Sequence, residues 1–354
     1  MPNARAAILL FLALVLVPVA LAEPMPRDLA RGLDKIFLRA EAPGMVAAIV
    51  DGDRTYFAGF GVARAGATER PDETSLLRIN SLSKVITGEI LSGLLAQRRI
   101  ALDDPLQLHA PRGRVVPRYP GARAISLRDI VIHASGLPRD LPTSLAQITL
   151  DERWDWLERT RPARAPGRVA QYSNAAYMFL GDALARAAGT DFATLLKTHV
   201  AAPLHLDDTT LDPRPDQCGR LMTNGRDDHA CAATRETGAS AGVYSTAADM
   251  ARWMRGELDR PSAPLVKRAD LRRLIAMDMA GRTDAIGLGW LHMRLGNLTV
   301  VQKTGGGGGF MNYVVLAPRR RLGIFVTVTR TDIEMLRRLA AQTNALMIDL
   351  ARDR

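Results

Sequence analysis

The spacing of hydrophobic residues changes character along the chain. Residues 29–40 carry apolar side chains at helical spacing, which predicts an amphipathic helix. Residues 44–63 contain two apolar runs separated by a D-G-D turn, and this arrangement predicts a β-hairpin. Residues 81–97 return to helical spacing, and the chain from there to about residue 280 reads as helices and loops punctuated by Pro and Gly.

After residue 280 the pattern becomes that of a sheet. Four strand-like runs follow one another, GLGWLHMRL, NLTVVQKT, FMNYVVLAP and LGIFVTVT, and residues 332–352 close the chain as a helix. Strands at both ends predict an α/β (α+β) fold, in which N- and C-terminal strands form one antiparallel sheet flanked by helices. The predicted division is residues 23–80 with 281–354, and an inserted, mostly helical domain over 81–280. The groove at their junction is the expected site.

Residues 1–22 are predicted to be a targeting segment. Arg5 precedes an apolar run, and Ala20-Leu21-Ala22 offers small residues at the positions of a cleavage site. The run is short for a membrane span and contains Pro18. A cleaved signal peptide is therefore expected, with an uncleaved anchor as the alternative.

Composition narrows the class of protein. The 354 residues are 47% hydrophobic and 24% charged, as in globular proteins, and the formal net charge is +10. Such a charge suits either an ordinary soluble surface or attraction to an anionic membrane, wall polymer or nucleic acid. Because the sequence has no block of five like charges and no zinc-finger spacing, we expect no nucleic-acid partner. Peripheral association with an anionic membrane or wall stays open.

The two cysteines, Cys218 and Cys231, enclose a 14-residue stretch. In an exported chain such a pair predicts a disulfide, which contributes about 3 kcal/mol to stability. The alternative is a metal site that also uses His229, but it lacks a fourth ligand. We expect no metal ion and no cofactor.

Ser81 and Lys84 are the first candidates for chemistry. They lie three residues apart at the start of a predicted helix and so share a face. A serine is a poor nucleophile unless a base takes its proton, and a lysine can do so if burial lowers its pKa. Alone, the pair is equally well read as a capping serine and a surface lysine.

Two further pieces complete a set. Tyr172 and Asn174 precede an apolar helix, which Asn174 could simply cap. Lys303-Thr304-Gly305 stands at the end of a predicted strand. Chance rarely produces all three pieces in this order.

The ensemble resembles the penicillin-recognising serine hydrolases, the class C β-lactamase and DD-peptidase family. Its three motifs are matched by Ser81-x-x-Lys84, Tyr172-x-Asn174 and Lys303-Thr304-Gly305. The cysteine pair, the segment DAIGLGW and the segment QKTGGGGGF are similar to the periplasmic AmpH-type D-alanyl-D-alanine carboxypeptidase/endopeptidases. The resemblance implies a β-lactamase/transpeptidase-like fold.

The resemblance also implies catalytic roles. Ser81 would attack a carbonyl carbon and form an acyl-enzyme. Lys84 and Tyr172 would share the proton transfers, and which of them is the general base stays open. Asn174 would hold the substrate amide and orient Lys84.

Substrate-binding roles follow in the same way. Lys303 and Thr304 would receive the substrate carboxylate. The oxyanion would lie between the backbone N–H groups of Ser81 and Gly306.

The run of five glycines is expected to serve this site. Gly305 and Gly306 would leave the strand edge bare, so that substrate can lie against the backbone. Residues 307–309 form either a bulge or turn, or a flexible hairpin tip.

Arg139 and Asp140 depart from the family pattern. Class C β-lactamases have a Gln shortly after the segment that resembles GLP here, whereas Arg139-Asp140 follow Pro138. A carboxylate there would change how an acyl-enzyme is held, which argues against efficient lactam hydrolysis.

Two other residues, Ser240 and His133, are candidates for chemistry. Ser240 lies in GASAG, but a nucleophile elbow needs a strand before it and a helix directly after it, so close packing explains these small residues better. His133 lies on an apolar segment with no carboxylate partner in view and is expected to be structural.

The resemblance therefore implies a periplasmic serine DD-peptidase. It would act as a D-Ala-D-Ala carboxypeptidase, with possible endopeptidase action, on peptidoglycan stem peptides, and it would bind β-lactams. The first alternative is a β-lactamase or small-ester hydrolase on the same scaffold. The second is a penicillin-binding sensor that is acylated without turnover.

Overall fold

The computed structural model describes residues 25–142, 149–226, 230–260 and 283–352. The helices are α1 Arg27–Ala40, α2 Ser83–Ala96, α3 Leu127–Val131, α4 Leu150–Arg159, α5 Asn174–Ala188, α6 Phe192–Leu196, α7 Pro215–Cys218, α8 Ala247–Asp259 and α9 Ile333–Arg352. The strands are β1 Gly44–Asp51, β2 Arg54–Gly61, β3 Leu76–Arg78, β4 Tyr244–Thr246, β5 Thr283–Gly287, β6 Trp290–Leu295, β7 Leu298–Gly307, β8 Phe310–Ala317 and β9 Leu322–Val328. Residues 1–22, the predicted targeting segment, lie outside these ranges.

One antiparallel sheet joins the two ends of the chain. Its strand order is β2-β1-β9-β8-β7-β6-β5, and β3 pairs with β4 in a separate two-stranded ribbon. The N-terminal hairpin meets the C-terminal strands where β1 pairs with β9, for example Ala48 opposite Phe325. The antiparallel sheet predicted from the two termini is therefore confirmed.

The C-terminal strand pattern needs one correction. The run GLGWLHMRL, predicted as a single strand, turns a corner between β5 and β6. Leu288 and Gly289 form that corner with φ values of +49° and +85°. A leucine rarely adopts a left-handed backbone, so a corner at Leu288 was not expected, although glycine stands on both sides of it.

Helices cover both faces of the sheet. On one face, α1 and α9 pack against alternate residues of the strands, such as Met45 and Val315. On the other face, α2, α5 and α8 share a core with Val46 and Phe325. Helix α2 is buried nearly all round rather than on one stripe, as expected of a central helix. The domain boundaries at residues 80 and 280 stay a prediction.

Cys218 and Cys231 form a disulfide, as predicted from their spacing. The alternative metal site required both thiols to be free, and the bond excludes this; His229 lies outside the described residues. Across the described ranges, the structure offers no helix with the length and apolar character of a membrane span.

Candidate active site

Ser81 lies in a tight turn that leads into α2. The turn is a 3₁₀ segment over Asn80–Leu82, and the hydroxyl of Ser83 donates to the carbonyl of Asn80 at 2.6 Å. Asn80 has a left-handed φ of +50°, and its side-chain amide donates to the Gly307 carbonyl at 3.0 Å. Asn80 thus ties the turn that carries Ser81 to β7. An Asn directly before the serine suits a left-handed backbone, which is the sequence signal for this residue.

Lys84 is fully buried one turn along α2. Its ammonium group donates to the Ser240 carbonyl at 2.6 Å, to Asn174 Oδ1 at 2.7 Å and to Ser81 Oγ at 3.3 Å. Burial, followed by the positive charges of Lys303 and Arg139, holds the pKa of Lys84 well below its usual range. The predicted surface-lysine alternative is therefore wrong.

Ser173 positions the Tyr172 and Asn174 side chains. Its hydroxyl accepts from the Ala176 N–H and donates to the Pro138 carbonyl, so Ser173, and not Asn174, is the N-cap of α5. Asn174 is the first helical residue, and its side chain is therefore available to Lys84.

Tyr172 contacts Ser81 directly. Its hydroxyl donates to Ser81 Oγ at 2.8 Å, and its ring centroid lies 4.9 Å from Lys84 Nζ. Burial raises the pKa of Tyr172 to about 12, against opposing effects of its hydrogen bond to Ser81 and the charge of Arg139. The phenol is therefore protonated at neutral pH.

His133 supports Tyr172 from behind. Its ring is buried and lies 4.5 Å from the Tyr172 ring, and its Nδ1 accepts from the Ser173 N–H at 3.2 Å. Burial and the neighbouring cations hold the pKa of His133 well below its usual range, which keeps the imidazole neutral. Sequence reasoning expected a structural histidine but did not place it against the site.

Lys303 brings β7 to the same place. Its side chain is buried, its ammonium donates to the Thr304 carbonyl at 2.9 Å, and it lies 5.3 Å from the Tyr172 ring centroid. Burial lowers the pKa of Lys303 to about 7. Thr304 is also buried, and within the described ranges its hydroxyl makes no hydrogen bond to the other polar side chains of the site.

The glycine-rich edge of β7 is shaped differently from the expectation. Strand β6 pairs with β7 only up to Gln302, which leaves the following edge without a partner strand on that side among the described residues. A Cβ on Gly305 would lie 2.4 Å from the Ile79 carbonyl and 3.2 Å from the Ser81 nitrogen. The turn that carries Ser81 therefore requires glycine at 305. Packing against this turn is a second reason for glycine, beside the expected approach of substrate.

Gly306 is exposed beside this contact, and a Cβ there would meet only the end of the Met311 side chain. Strand β7 continues to Gly307, and Gly308 and Gly309 form the turn into β8 with φ values of +53° and +86°. Residues 308–309 are therefore a turn at the tip of the hairpin that joins β7 to β8. These values match a type I′ hairpin turn, which favours glycine at both positions.

Ser240 contributes its backbone to the site. Its hydroxyl donates to the Thr237 carbonyl at 3.1 Å, whereas its own carbonyl accepts from Lys84. The segment Gly238–Gly242 is a π-helical turn packed against α2 and α5. Close packing is therefore the right interpretation of GASAG, but sequence reasoning missed the carbonyl that it delivers to Lys84.

Arg139 and Asp140 lie at the edge of the cluster. The Arg139 guanidinium carbon is 5.1 Å from the Tyr172 ring centroid, and Asp140 Oδ1 accepts from Asn174 Nδ2 at 2.6 Å. In the described part of the chain, no group of three or more His, Cys, Asp or Glu side chains converges as a metal site would require.

A buried lysine and a phenol both contact one serine at the edge of an antiparallel sheet, which is the arrangement that can activate a serine hydroxyl in a serine hydrolase. The chain belongs to the β-lactamase family, whose profile, described as Beta-lactamase, matches residues 27–346. The family resemblance drawn from the three motifs is thereby confirmed.

Two individual members of the family are similar to this chain. The chain is 38% identical to the D-alanyl-D-alanine-carboxypeptidase/endopeptidase AmpH of Escherichia coli (strain K12), over 91% of this chain and 88% of that protein. A Beta-lactamase from the same strain is 23% identical over 85% of this chain and 87% of its own.

Solved structures agree with the fold. The Beta-lactamase/D-alanine Carboxypeptidase from Yersinia pestis, complexed with citrate, superposes with a TM-score of 0.83 at 37% identity, covering 91% of this chain and 98% of that chain. A class C beta lactamase from Rhodobacter sphaeroides gives a TM-score of 0.74 at 22% identity, over 92% of this chain and 100% of that chain. The second supports the fold alone.

Proposed function

We propose that this protein is a serine-type D-alanyl-D-alanine carboxypeptidase, with endopeptidase activity, that acts on peptidoglycan stem peptides through an acyl-enzyme on Ser81. The observation that carries the proposal is the pair of hydrogen bonds that Lys84 and Tyr172 make to Ser81 Oγ. The names of the Escherichia coli and Yersinia pestis relatives both include a D-alanine or D-alanyl-D-alanine carboxypeptidase, which supports the choice of substrate.

Acylation begins with the proton of Ser81. Lys84 in its neutral form takes this proton while Oγ attacks the carbonyl carbon of the penultimate D-alanine. Its low pKa supports this role, whereas Tyr172 is a protonated phenol at neutral pH. When the tetrahedral intermediate collapses, the Tyr172 phenol protonates the departing amine of the terminal D-alanine, and Lys84 returns a proton to the phenolate. Water then hydrolyses the ester.

Binding groups surround the nucleophile. Lys303, with Thr304 beside it, attracts the terminal carboxylate of the peptide. Its burial without a carboxylate partner among the described residues supports this role. The backbone N–H groups of Ser81 and Gly306 stabilise the oxyanion. The nearness of Gly305 to the Ser81 nitrogen, and the exposure of Gly306, support that pairing.

Release of D-alanine from a stem pentapeptide tests the proposal. Purified protein should release one D-alanine for each peptide consumed, over many turnovers. The Ser81→Ala variant should release none above background. Nitrocefin turnover measures the alternative function. Fast nitrocefin hydrolysis without D-alanine release would replace the proposal with a β-lactamase, and labelling by penicillin with no turnover of either substrate would favour a sensor.

Export to the periplasm belongs to the same proposal. The leader-like residues 1–22, the disulfide and the assigned substrate support it.

Docking on an anionic membrane or wall rests on the net charge of +10 alone. The exposed cations of α1 and α9 stand beside carboxylates, for example Arg31 beside Asp28, so these helices present no purely basic face. Sedimentation with anionic vesicles or purified wall would measure this association.

A further inference from the structure

The contact between Asp140 and Asn174 fixes which way the Asn174 side-chain amide faces. Asp140 Oδ1 lies 2.6 Å from Asn174 Nδ2, and a carboxylate can accept hydrogen bonds but has no proton to donate. The NH₂ end of the Asn174 amide must therefore face Asp140. Its oxygen then faces Lys84, where Oδ1 and Nζ are 2.7 Å apart.

This orientation decides where the free electron pair of Lys84 points. A neutral lysine has two N–H bonds and one lone pair. Of the three hydrogen-bond contacts of Nζ, the Ser240 carbonyl and Asn174 Oδ1 can only accept, so they take the two N–H bonds. The third contact is the Ser81 hydroxyl, which can donate. The lone pair is therefore directed at the proton that acylation must remove.

A reversed Asn174 amide would abolish this arrangement. Its NH₂ group would donate to the Lys84 lone pair and occupy the base before it met Ser81. A glutamine, the residue that class C β-lactamases have near this point, can donate as well as accept and would tolerate either orientation. The carboxylate at 140 tolerates one.

We propose that Asp140 is a positioning residue that locks the Asn174 amide and thereby aims the lone pair of Lys84 at Ser81. The proposal rests on the proposed function, because it concerns the base of the acylation step. It extends that function by assigning a role to the residue at which this chain departs from its relatives of the class C type.

Charge provides an independent readout. Asp140 is the negatively charged group acting on Lys84 within the described residues, and it favours the ammonium form, whereas Arg139 and Lys303 oppose that form. The remaining titratable groups around Lys84 are the neutral side chains of His133, Tyr172 and Tyr177. Removing the charge of Asp140 must therefore move the deprotonation of Lys84 to lower pH, and removing that of Arg139 must move it to higher pH.

The experiment measures the rate of acylation by a fluorescent penicillin as a function of pH. In Asp140→Asn, the acidic limb of the pH–rate profile for acylation should move to lower pH. The maximal rate should fall by about 100-fold, the lower end of what a general base contributes. Asp140→Glu keeps an acceptor-only group and should retain more activity than Asp140→Asn, although Asn is closer to Asp in shape. In Arg139→Gln, the limb should move to higher pH, with a far smaller loss of maximal rate.

A double-mutant cycle separates orientation from folding. Adding Asp140→Asn to an Asn174→Ala protein should reduce the maximal rate no further, because no amide remains to be oriented. An equal loss in both backgrounds, or wild-type acylation by Asp140→Asn, would overturn the proposal. Thermal melts of each variant identify a loss caused by unfolding. A wild-type protein that penicillin does not label would instead refute the function itself.

Discussion

The hydroxyl of Tyr172 donates to the Oγ of Ser81 at 2.8 Å, across 91 positions of sequence. Three contacts hold it there. Ser173 caps α5, the Gln171 N–H donates to the His133 carbonyl at 2.7 Å, and the His133 ring lies against the Tyr172 ring. The phenol is thus held by backbone hydrogen bonds and aromatic packing rather than by its bond to the serine.

Replacing Tyr172 by Phe should therefore remove the proton donor while leaving the ring in place. We expect acylation by penicillin and D-alanine release both to fall, by about 100-fold or more. Tyr177→Phe is the matched control, because the Tyr177 hydroxyl donates to the Val131 carbonyl and not to Ser81. That variant should lose about 1 kcal/mol of stability and keep its acylation rate. Equal rates for Tyr172→Phe and wild type would remove Tyr172 from the mechanism.

Lys303 should set the alkaline limit of activity on carboxylate substrates. Its pKa is about 7, so in the free enzyme the ammonium that attracts the carboxylate is lost as pH rises through that value. Because kcat/KM reports the free enzyme, it should rise as Lys84 loses its proton and fall as Lys303 does. A stem peptide with a C-terminal amide should lack the falling limb. If both peptides fall together at the same pH, another group controls that limb.

Gly305 and Gly306 should differ sharply when each is changed to Ala. At 305 the new methyl group meets the backbone carbonyl of Ile79 at 2.4 Å, and that carbonyl cannot move without displacing the turn that carries Ser81. At 306 it meets Met311 Sδ, the end of a flexible side chain. We expect Gly305→Ala to lose most acylation and several degrees of melting temperature, and Gly306→Ala to lose little of either. The second result departs from the expectation that substrate needs residue 306 bare. Similar behaviour of the two variants would contradict the packing argument.

Glu257 on α8 should cost stability at high pH. Its carboxyl is buried, and burial, followed by the charge of Glu89, raises its pKa well above the usual range. The folded protein therefore holds a proton that the unfolded chain releases near the usual pKa, so stability falls as pH rises beyond that point. Glu257→Gln should have a melting temperature close to wild type in acid and about 2–4 °C above it at alkaline pH.

Glu89→Gln is the informative comparison for Glu257. Glu89 accepts from Trp253 Nε1 and from Arg260, both at 3.0 Å, so removing its charge leaves Arg260 without its partner. Burial raises the pKa of Glu89 as well, but Glu89→Gln also removes the ion pair with Arg260, so this variant should gain less than Glu257→Gln at alkaline pH. A difference between Glu257→Gln and wild type that does not change with pH would contradict the raised pKa.

Much of the fold could be predicted because its signals are local. The apolar runs of β1, β8 and β9 are nearly continuous, and strands at both ends of a chain that surround helices have few ways to pair. The corner at Leu288 could not be predicted, since its left-handed backbone is imposed by packing. The Leu288 carbonyl packs so closely against α2 that a Cβ on Gly88 would lie 2.1 Å from its oxygen.

The candidate site could be predicted where side chains carry the chemistry, as at Ser81 and Lys84. It could not be predicted where the backbone does. The Ser240 carbonyl serves Lys84 through the path of a π-helical turn, and residue type says nothing about that path. Asp140 was visible in the sequence as a departure, but its partner Asn174 lies 34 positions away and only the fold brings them together.

Mapping the site of penicillin attachment tests the central claim most directly. After brief exposure to a penicillin, intact-mass and peptide analysis should find one covalent adduct, on the peptide that contains Ser81. The Ser81→Ala protein, folded by its melting curve, should carry none. An adduct on Ser240 or any other residue, or one that persists in Ser81→Ala, would contradict the account.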